Sequence, residues 1–199
     1  MNVTDNETGA TVTVDPSWPT PETESGQACP RRAVITLPRE VRTQRPSFLK
    51  TDWYPLGVLS LVSGVGGIGK SSLVLADVAA GTRGRLPGDY DGEPVKALIT
   101  AAEDDKGLQS LRLKAAGADP DRWGFLDITD TTGGYDYTAP LRLPSDQSLV
   151  RQSLIDFGAR LWVIDPLSAA LVGDLNSDKD VNDALVPLAA LAEELNIAV

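Results

Sequence analysis

The sequence holds no histidine, one cysteine (Cys29) and one methionine (Met1) in 199 residues. A single thiol cannot close an internal disulfide, and without histidine the mixed Cys/His sets of structural zinc sites are excluded. No apolar run approaches the ~18 residues that a membrane span requires. The opening residues, Met1-Asn2-Val3-Thr4-Asp5, lack the basic and then apolar segments of a signal peptide, so a cytoplasmic protein with no membrane partner is expected. Positive charge is also scarce. The 18 Lys and Arg stand against 28 Asp and Glu, for a net charge of −10, which opposes a broad nucleic-acid-binding face. One local exception is the cluster Arg31, Arg32, Arg39, Arg42, Arg45 and Lys50, which reads either as a solvated basic linker or as a binding patch.

Residues 1–46 read as a disordered N-terminal tail. They are rich in Thr, Pro, Glu and Asp and show no sustained periodicity. Pro16, Pro19, Pro21 and Pro30 block regular helix. Val12, Val14 and the run Ala33-Val34-Ile35 have strand character, but no evident partner lies nearby. No internal repeat is present.

Residues 47–199 carry strand and helix patterns in alternation. Residues 58–62 read as a buried strand, followed by a glycine-rich turn and a helix over residues 69–80 that stops at Gly81. Residues 95–101 read as a second strand. The next helix would set Leu108, Leu111, Arg112 and Ala115 on one face and end at Gly117. A third strand is expected over 123–128, an exposed loop over 129–140, and a helix over 147–157 ending at Gly158. The apolar strand Leu161-Trp162-Val163-Ile164 closes on Asp165-Pro166. A last helix spans residues 180–195, with Pro187 as a kink, and Ile197-Ala198-Val199 opens another strand. Apolar strands alternating with helices predict an α/β fold with a mostly parallel sheet covered on both faces. Ligands of such sheets bind beyond the carboxyl ends of the strands.

The chemistry is concentrated at those ends. Gly64-Val65-Gly66-Gly67-Ile68-Gly69-Lys70-Ser71 satisfies GxxxxGK[ST] at every fixed position, between a strand and a helix. The glycines let backbone N–H groups turn toward phosphate oxygens without a Cβ in the way. The helix N-terminus adds positive potential. In this reading Lys70 neutralises the β- and γ-phosphates and the Ser71 hydroxyl ligates Mg²⁺. Ser72 follows in the first helical turn and serves there either in nucleotide binding or in packing. ATP and Mg²⁺ are therefore the expected ligands. Asp165, at the end of an apolar strand, fits the aspartate that holds Mg²⁺ through a water; the plainer reading is an Asp-Pro turn. Glu103, at the end of the second strand, is placed to orient water in line with the γ-phosphate, against the plainer reading of a solvated acidic loop. Asp104 and Asp105 suit the cap of the helix that follows. Trp53 reads as an aromatic packed before the first strand, or as a surface that stacks on a base or a subunit edge. Arg112 suits an ion pair with Asp105 or another nearby acid better than a catalytic role.

Together these residues resemble the RepA-like ATPases, RecA-related P-loop proteins of the AAA family and of the hexameric replicative helicase type. The resemblance covers residues 50–199. It rests on Trp53-Tyr54-Pro55-Leu56-Gly57, the phosphate loop, Ala102-Glu103-Asp104-Asp105, Leu111-Arg112-Leu113, Gly117-Ala118-Asp119-Pro120, Val163-Ile164-Asp165-Pro166-Leu167-Ser168 and the acidic segment 174–180. It implies a RecA-like core, ATP hydrolysis with Glu103 as base and Asp165 at the metal, association with single-stranded or duplex DNA, and a ring-shaped homo-oligomer such as a hexamer. In that family the strand after Asp165 runs between the strands that carry the phosphate loop and the aspartate, and ends in a histidine-containing motif. This sequence stops as that strand begins, so a fragment or split gene product that folds poorly alone is expected. Two alternatives remain open at this point: a small-molecule kinase or transferase, and a non-catalytic nucleotide-binding module. The arginine-rich lid usual in such kinases is not seen between Gly124 and Asp165, and no NKxD motif for guanine is present.

Overall fold

The structure is a computed structural model, and it describes residues 2–4, 11–13, 34–40, 45–102, 105–132, 134–173 and 177–199. The chain divides into two compact units, Met1–Thr43 and Gln44–Val199. In the first, strands β1 (Asn2–Thr4) and β2 (Thr11–Thr13) pair antiparallel with Val3 opposite Val12. Val12 thus has a partner that the sequence pattern did not reveal, because three-residue strands are too short to show alternation. Val34, Ile35 and Leu37 lie exposed, and a single 3-10 turn forms at Pro38–Glu40. Val14 and Ala33 lie outside the described residues.

The second unit is built on a parallel sheet. Strand β5 (Lys96–Ala101) pairs with β6 (Trp123–Phe125) on one side and with β9 (Ala159–Asp165) on the other. Residue Ala198 extends the order beyond β9, bridging Leu161 and Val58 in parallel. The Trp162 N–H donates to Ala198 O at 2.9 Å and the Ala198 N–H to Arg160 O at 3.0 Å. On the far side, Gly57 N–H donates to Ile197 O and Ser60 N–H to Val199 O. The chain from Ile197 onward therefore lies between the loop-bearing segment and β9, as the RecA-like order requires.

Alternation along the strands sorts the core into two layers. Ala97, Ile99 and Leu161 pack with Leu75, Val78 and Ala79 of helix α1 (Lys70–Thr82) and Leu113 of α2 (Lys106–Ala115). Their neighbours Leu98 and Trp162 face the other way. They pack with Val150 and Leu154 of α3 (Gln147–Phe157) and with Ala184, Leu188 and Leu191 of α4 (Asp178–Leu195). Burial on both faces is what makes these strands continuously apolar in sequence. The Trp162 indole N–H, which would otherwise be stranded in this core, donates to Thr100 Oγ1 at 3.1 Å.

Several expectations need correction. Gly81 does not stop α1; it lies inside the helix, where a Cβ would come within 3.0 Å of Leu86 and 3.3 Å of Val95. It is a close-packing glycine, and sequence alone does not separate that role from a terminator. The apolar face expected for α2 points outward. Leu108 and Leu111 are exposed, while Gln109 and Leu113 are buried. Residues 129–140 are not a plain loop: β7 (Ile128–Asp130) and β8 (Tyr137–Ala139) form an antiparallel hairpin. Residues 58–62 do not form a buried strand. Val58 makes one bridge, and Leu61 is 78% exposed. Among the described residues, only Gly57 to Ser60 have backbone partners on residues 197–199, so the segment beyond is not drawn into the sheet. Pro187 sits within α4.

Candidate functional site

Parallel register fixes where the motif residues meet. Asp165 ends β9 directly beside Ala101 at the end of β5, and Ala102 N–H donates to Asp165 O at 3.0 Å. The segment through Val58 runs parallel to the same strands, so the turn that follows it opens at the same carboxyl edge. The sheet thus presents the phosphate loop, the start of α1 and Asp165 at one end. Glu103, Asp104 and, within the acidic segment 174–180, residues 174–176 lie outside the described residues. Among the described residues no three acidic or cysteine side chains converge as a metal-binding group.

The loop itself is open. Residues Gly64 to Gly69 are exposed, and Val65 and Ile68 turn apolar side chains outward at 75% and 61% exposure. A Cβ at Gly66, Gly67 or Gly69 would meet nothing within 4 Å. These glycines are therefore not demanded by packing inside the protein. Gly67 (φ 78°) and Gly69 (φ 97°) adopt the left-handed conformation that costs glycine nothing. Gly69 is the N-cap of α1 and offers no side-chain cap, so the N–H groups of the first turn receive no side-chain acceptor from it. The first helical bond runs from Leu73 N–H to Gly69 O. An open concave loop with an uncapped helix start is what a phosphate group would fill, and the residues present fit one. Lys70 Nζ donates to Gly64 O at 2.8 Å and to Val65 O at 3.0 Å, which holds the ammonium over the loop. Lys70 and Ser71 are partly buried at the base of the loop. Ser72 is exposed, which corrects a packing role for it.

On the helix that follows Glu103, Asp105 is the N-cap and accepts from Leu108 N–H at 2.9 Å, as its type suggested. Two members of the expected basic cluster, Lys50 and Arg45, lie in the second unit and face acidic partners there. Lys50 Nζ sits 2.8 Å from both carboxylate oxygens of Asp77, and Arg45 lies 3.6 Å from Asp89. Arg31, Arg32 and Arg42 lie outside the described residues.

Sequence reasoning missed the network around Asp77. This aspartate is buried on α1. It accepts from Lys50 and also from the Tyr54 hydroxyl at 2.8 Å. Burial first, then the hydrogen bond and the charge of Asp77, push the Tyr54 phenol well above its ordinary range. The network ties the hairpin β3 (Phe48–Lys50) and β4 (Tyr54–Pro55) to α1. Its one signal in sequence is the single acid in the apolar run Leu73-Val74-Leu75-Ala76-Asp77-Val78. Beside it a groove of about 910 Å³ runs along the loop-bearing segment, lined among others by Trp53, Leu59, Leu61, Ile68, Gly69 and Lys70.

Among the described residues no helix is long and apolar enough to cross a membrane. No curated protein matches the chain. A family model described as AAA domain (AAA_25) matches residues 28–199. That span contains the phosphate loop and the whole parallel sheet, and the chain accordingly belongs to this family of P-loop ATPase domains with a RecA-like fold, whose general activity is the binding and hydrolysis of a nucleotide.

Proposed function

We propose that this chain binds Mg-ATP and hydrolyses it as a RepA-like, DNA-associated ATPase of the replicative helicase type. The observation that carries the catalytic part is the open, uncapped glycine loop at the same sheet edge as Asp165. Backbone N–H groups of residues 64–72 cradle the phosphates, and Lys70 leaves the Gly64 and Val65 carbonyls to neutralise the β- and γ-phosphates. The Ser71 hydroxyl and Asp165 hold Mg²⁺, the latter through water. The metal, when bound, neutralises charge on the transferred phosphoryl group. Glu103 orients the attacking water and accepts its proton. Support for the DNA-associated, ring-forming part comes from the resemblance carried by Ala102-Glu103-Asp104-Asp105 and Ile164-Asp165-Pro166-Leu167-Ser168.

The test is ATP turnover with and without single-stranded DNA, on the native chain and on two variants. Glu103→Gln should slow hydrolysis about 10²–10⁴-fold while ATP still binds. Lys70→Ala should weaken ATP binding itself. Turnover unchanged by Glu103→Gln removes that residue from the mechanism, and affinity unchanged by Lys70→Ala sinks the phosphate-loop assignment. Hydrolysis indifferent to DNA in every state of assembly argues for a transferase or a switch instead.

A further inference from the structure

Gln109 of α2 is fully buried, and among the described residues neither end of its carboxamide finds a hydrogen-bond partner. Buried polar groups are nearly always paired, and an unpaired one bears its whole desolvation penalty. A methionine would fill the same space without that penalty. The amide therefore calls for a partner that the protein takes up in another state.

The two helices fix where the amide lies. Helices α1 and α2 both start at the carboxyl edge of the sheet, run the same way and pack side by side. They are tied at their far ends, where Asp119 N–H donates to Thr82 Oγ1 at 2.9 Å and Arg83 Nε to Gly117 O at 3.0 Å. Gln109 is one turn nearer the carboxyl edge than Leu113, about 6 Å at 1.5 Å per residue. Helical side chains lean toward the N-terminus, which carries the amide nearer still. Around the axis, Lys106 marks the flank of α2 toward β6, since it pairs with Asp127 at 2.6 Å. Leu113 faces the sheet. At 3.6 residues per turn, Gln109 stands on the opposite side of Leu113 from Lys106, which is the side of α1. On α1, the partly buried Ser71 shares the sheet-facing stripe of Leu75 and Val78. Below both, β5 ends in the small Ala101, on the face it shares with Ala97 and Ile99. Gln109 and Ser71 thus point into one wedge under the phosphate loop.

We propose that Gln109 is a positioning residue for Ser71: its Oε1 accepts the Ser71 hydroxyl proton when that oxygen ligates Mg²⁺. The proposal rests on the reading of Ser71 as a metal ligand. A serine that gives a lone pair to a cation keeps its proton, and the cation makes that proton a stronger donor. An acceptor in a buried wedge fixes the hydroxyl rotor and strengthens the ligand. The amide is neutral, so it does this without adding charge beside Asp165. The unpaired state of Gln109 belongs to the empty site, and metal binding relieves it.

The experiment measures ATP affinity by calorimetry with Mg²⁺ and with EDTA, on the full chain, on Gln109→Met, Gln109→Glu and Ser71→Ala, and on Gln109→Met combined with Ser71→Ala. Melting of each ligand-free protein is recorded alongside. The readout is the gain in affinity that Mg²⁺ confers. Gln109→Met should cut that gain about fivefold to thirtyfold and leave affinity in EDTA unchanged. It should also raise the melting temperature by about 2 °C or more, because the orphaned amide is gone. Gln109→Glu, which keeps an acceptor at the same length, should retain most of the gain. Ser71→Ala lowers the gain by itself, and adding Gln109→Met should lower it no further. A full Mg²⁺ gain in Gln109→Met overturns the proposal and leaves Ser71 as a ligand. So does an added loss in the Ser71→Ala background, which would mean that Gln109 acts through another group. Lower melting with weaker binding in both Mg²⁺ and EDTA, with Gln109→Glu no better, would mark the residue as structural and overturn it as well. No Mg²⁺ gain in the native chain, or an undiminished one in Ser71→Ala, overturns the Ser71 reading and this proposal with it.

Discussion

Two parallel segments of the same sheet have opposite fates. The β9 strand is sealed: Trp162 is fully buried, bonded through its indole to Thr100, and flanked by β5 and by Ala198. The segment from Val58 to the phosphate loop has similar composition, yet Val58, Leu61, Val65 and Ile68 are all exposed. The difference lies in the partners. β9 has neighbours on both edges and helices on both faces, whereas the loop-bearing segment, among the described residues, pairs with residues 197–199 and borders a groove. The comparison teaches that rigidity and access are divided between adjacent segments. The strand that ends in Asp165 fixes geometry, and the segment that ends in Gly64 leaves its backbone free to meet a ligand.

The strongest way to break that contrast is to hollow the sealed side. Trp162→Ala removes the largest fully buried side chain among the described residues, and leaves the Thr100 hydroxyl without its donor. Loss of about 3–5 kcal/mol is expected, as for other large-to-small changes of buried aromatics. At roughly 2–4 °C per kcal/mol for a chain of this size, thermal melting should fall by about 10 °C. A melting temperature within a degree or two of the native chain would mean that Trp162 is not packed against α3 and α4 in solution.

The same contrast explains what the sequence made legible. The strands β5 and β9, the helix after the phosphate loop and the C-terminal Gly158 cap of α3 were read from apolar runs and glycines. In these elements local pattern and tertiary burial agree. The phosphate-loop residues were read from spacing, because the chemistry dictates their types directly. Residues 58–62 were misread because an apolar run reports the capacity to be buried, not the presence of a partner to bury it. The face of α2 was misread for a related reason. Leu108 and Leu111 satisfy helical spacing, but Gln109 and Leu113 satisfy it equally, and only packing against α1 and the sheet decides between them. The Lys50–Asp77–Tyr54 network joins residues 23 and 27 positions apart, a separation at which no local pattern operates.

A middle-sized effect is expected where that network joins the loop-bearing side to α1. Asp77→Ala would leave the Lys50 ammonium, whose side chain is 18% exposed, without its counter-charge, and the Tyr54 hydroxyl without its acceptor. Breaking one partner of a buried pair costs about 3 kcal/mol or somewhat more, measurable by urea unfolding. A second readout follows the Tyr54 phenol. Its acidity is suppressed in the folded state, so the stability linked to it is fully present below the ordinary phenol value near ~10 and is lost as pH rises beyond it. Removing Asp77 takes away the hydrogen bond and the charge that oppose ionisation. The phenol should then ionise at lower pH in ultraviolet titration than it does in the native chain. An unchanged titration would show that burial alone sets its acidity and that the Asp77 contact is not kept in solution.

The smallest expected effect sharpens the comparison most. Leu61→Ser replaces an apolar side chain that is 78% exposed, on a segment whose backbone beyond Ser60 has no partner on residues 197–199. Little apolar surface leaves water when Leu61 adopts its place in the fold, so stability should change by no more than about 0.5 kcal/mol. A leucine of the sealed layers, such as Leu154 at 1% exposure, should by contrast lose about 2–5 kcal/mol on truncation to alanine. The two unfolding curves, measured side by side, separate a segment open to ligand from one packed away. If Leu61→Ser cost as much as Leu154→Ala, the loop-bearing segment would have to be covered by protein in solution.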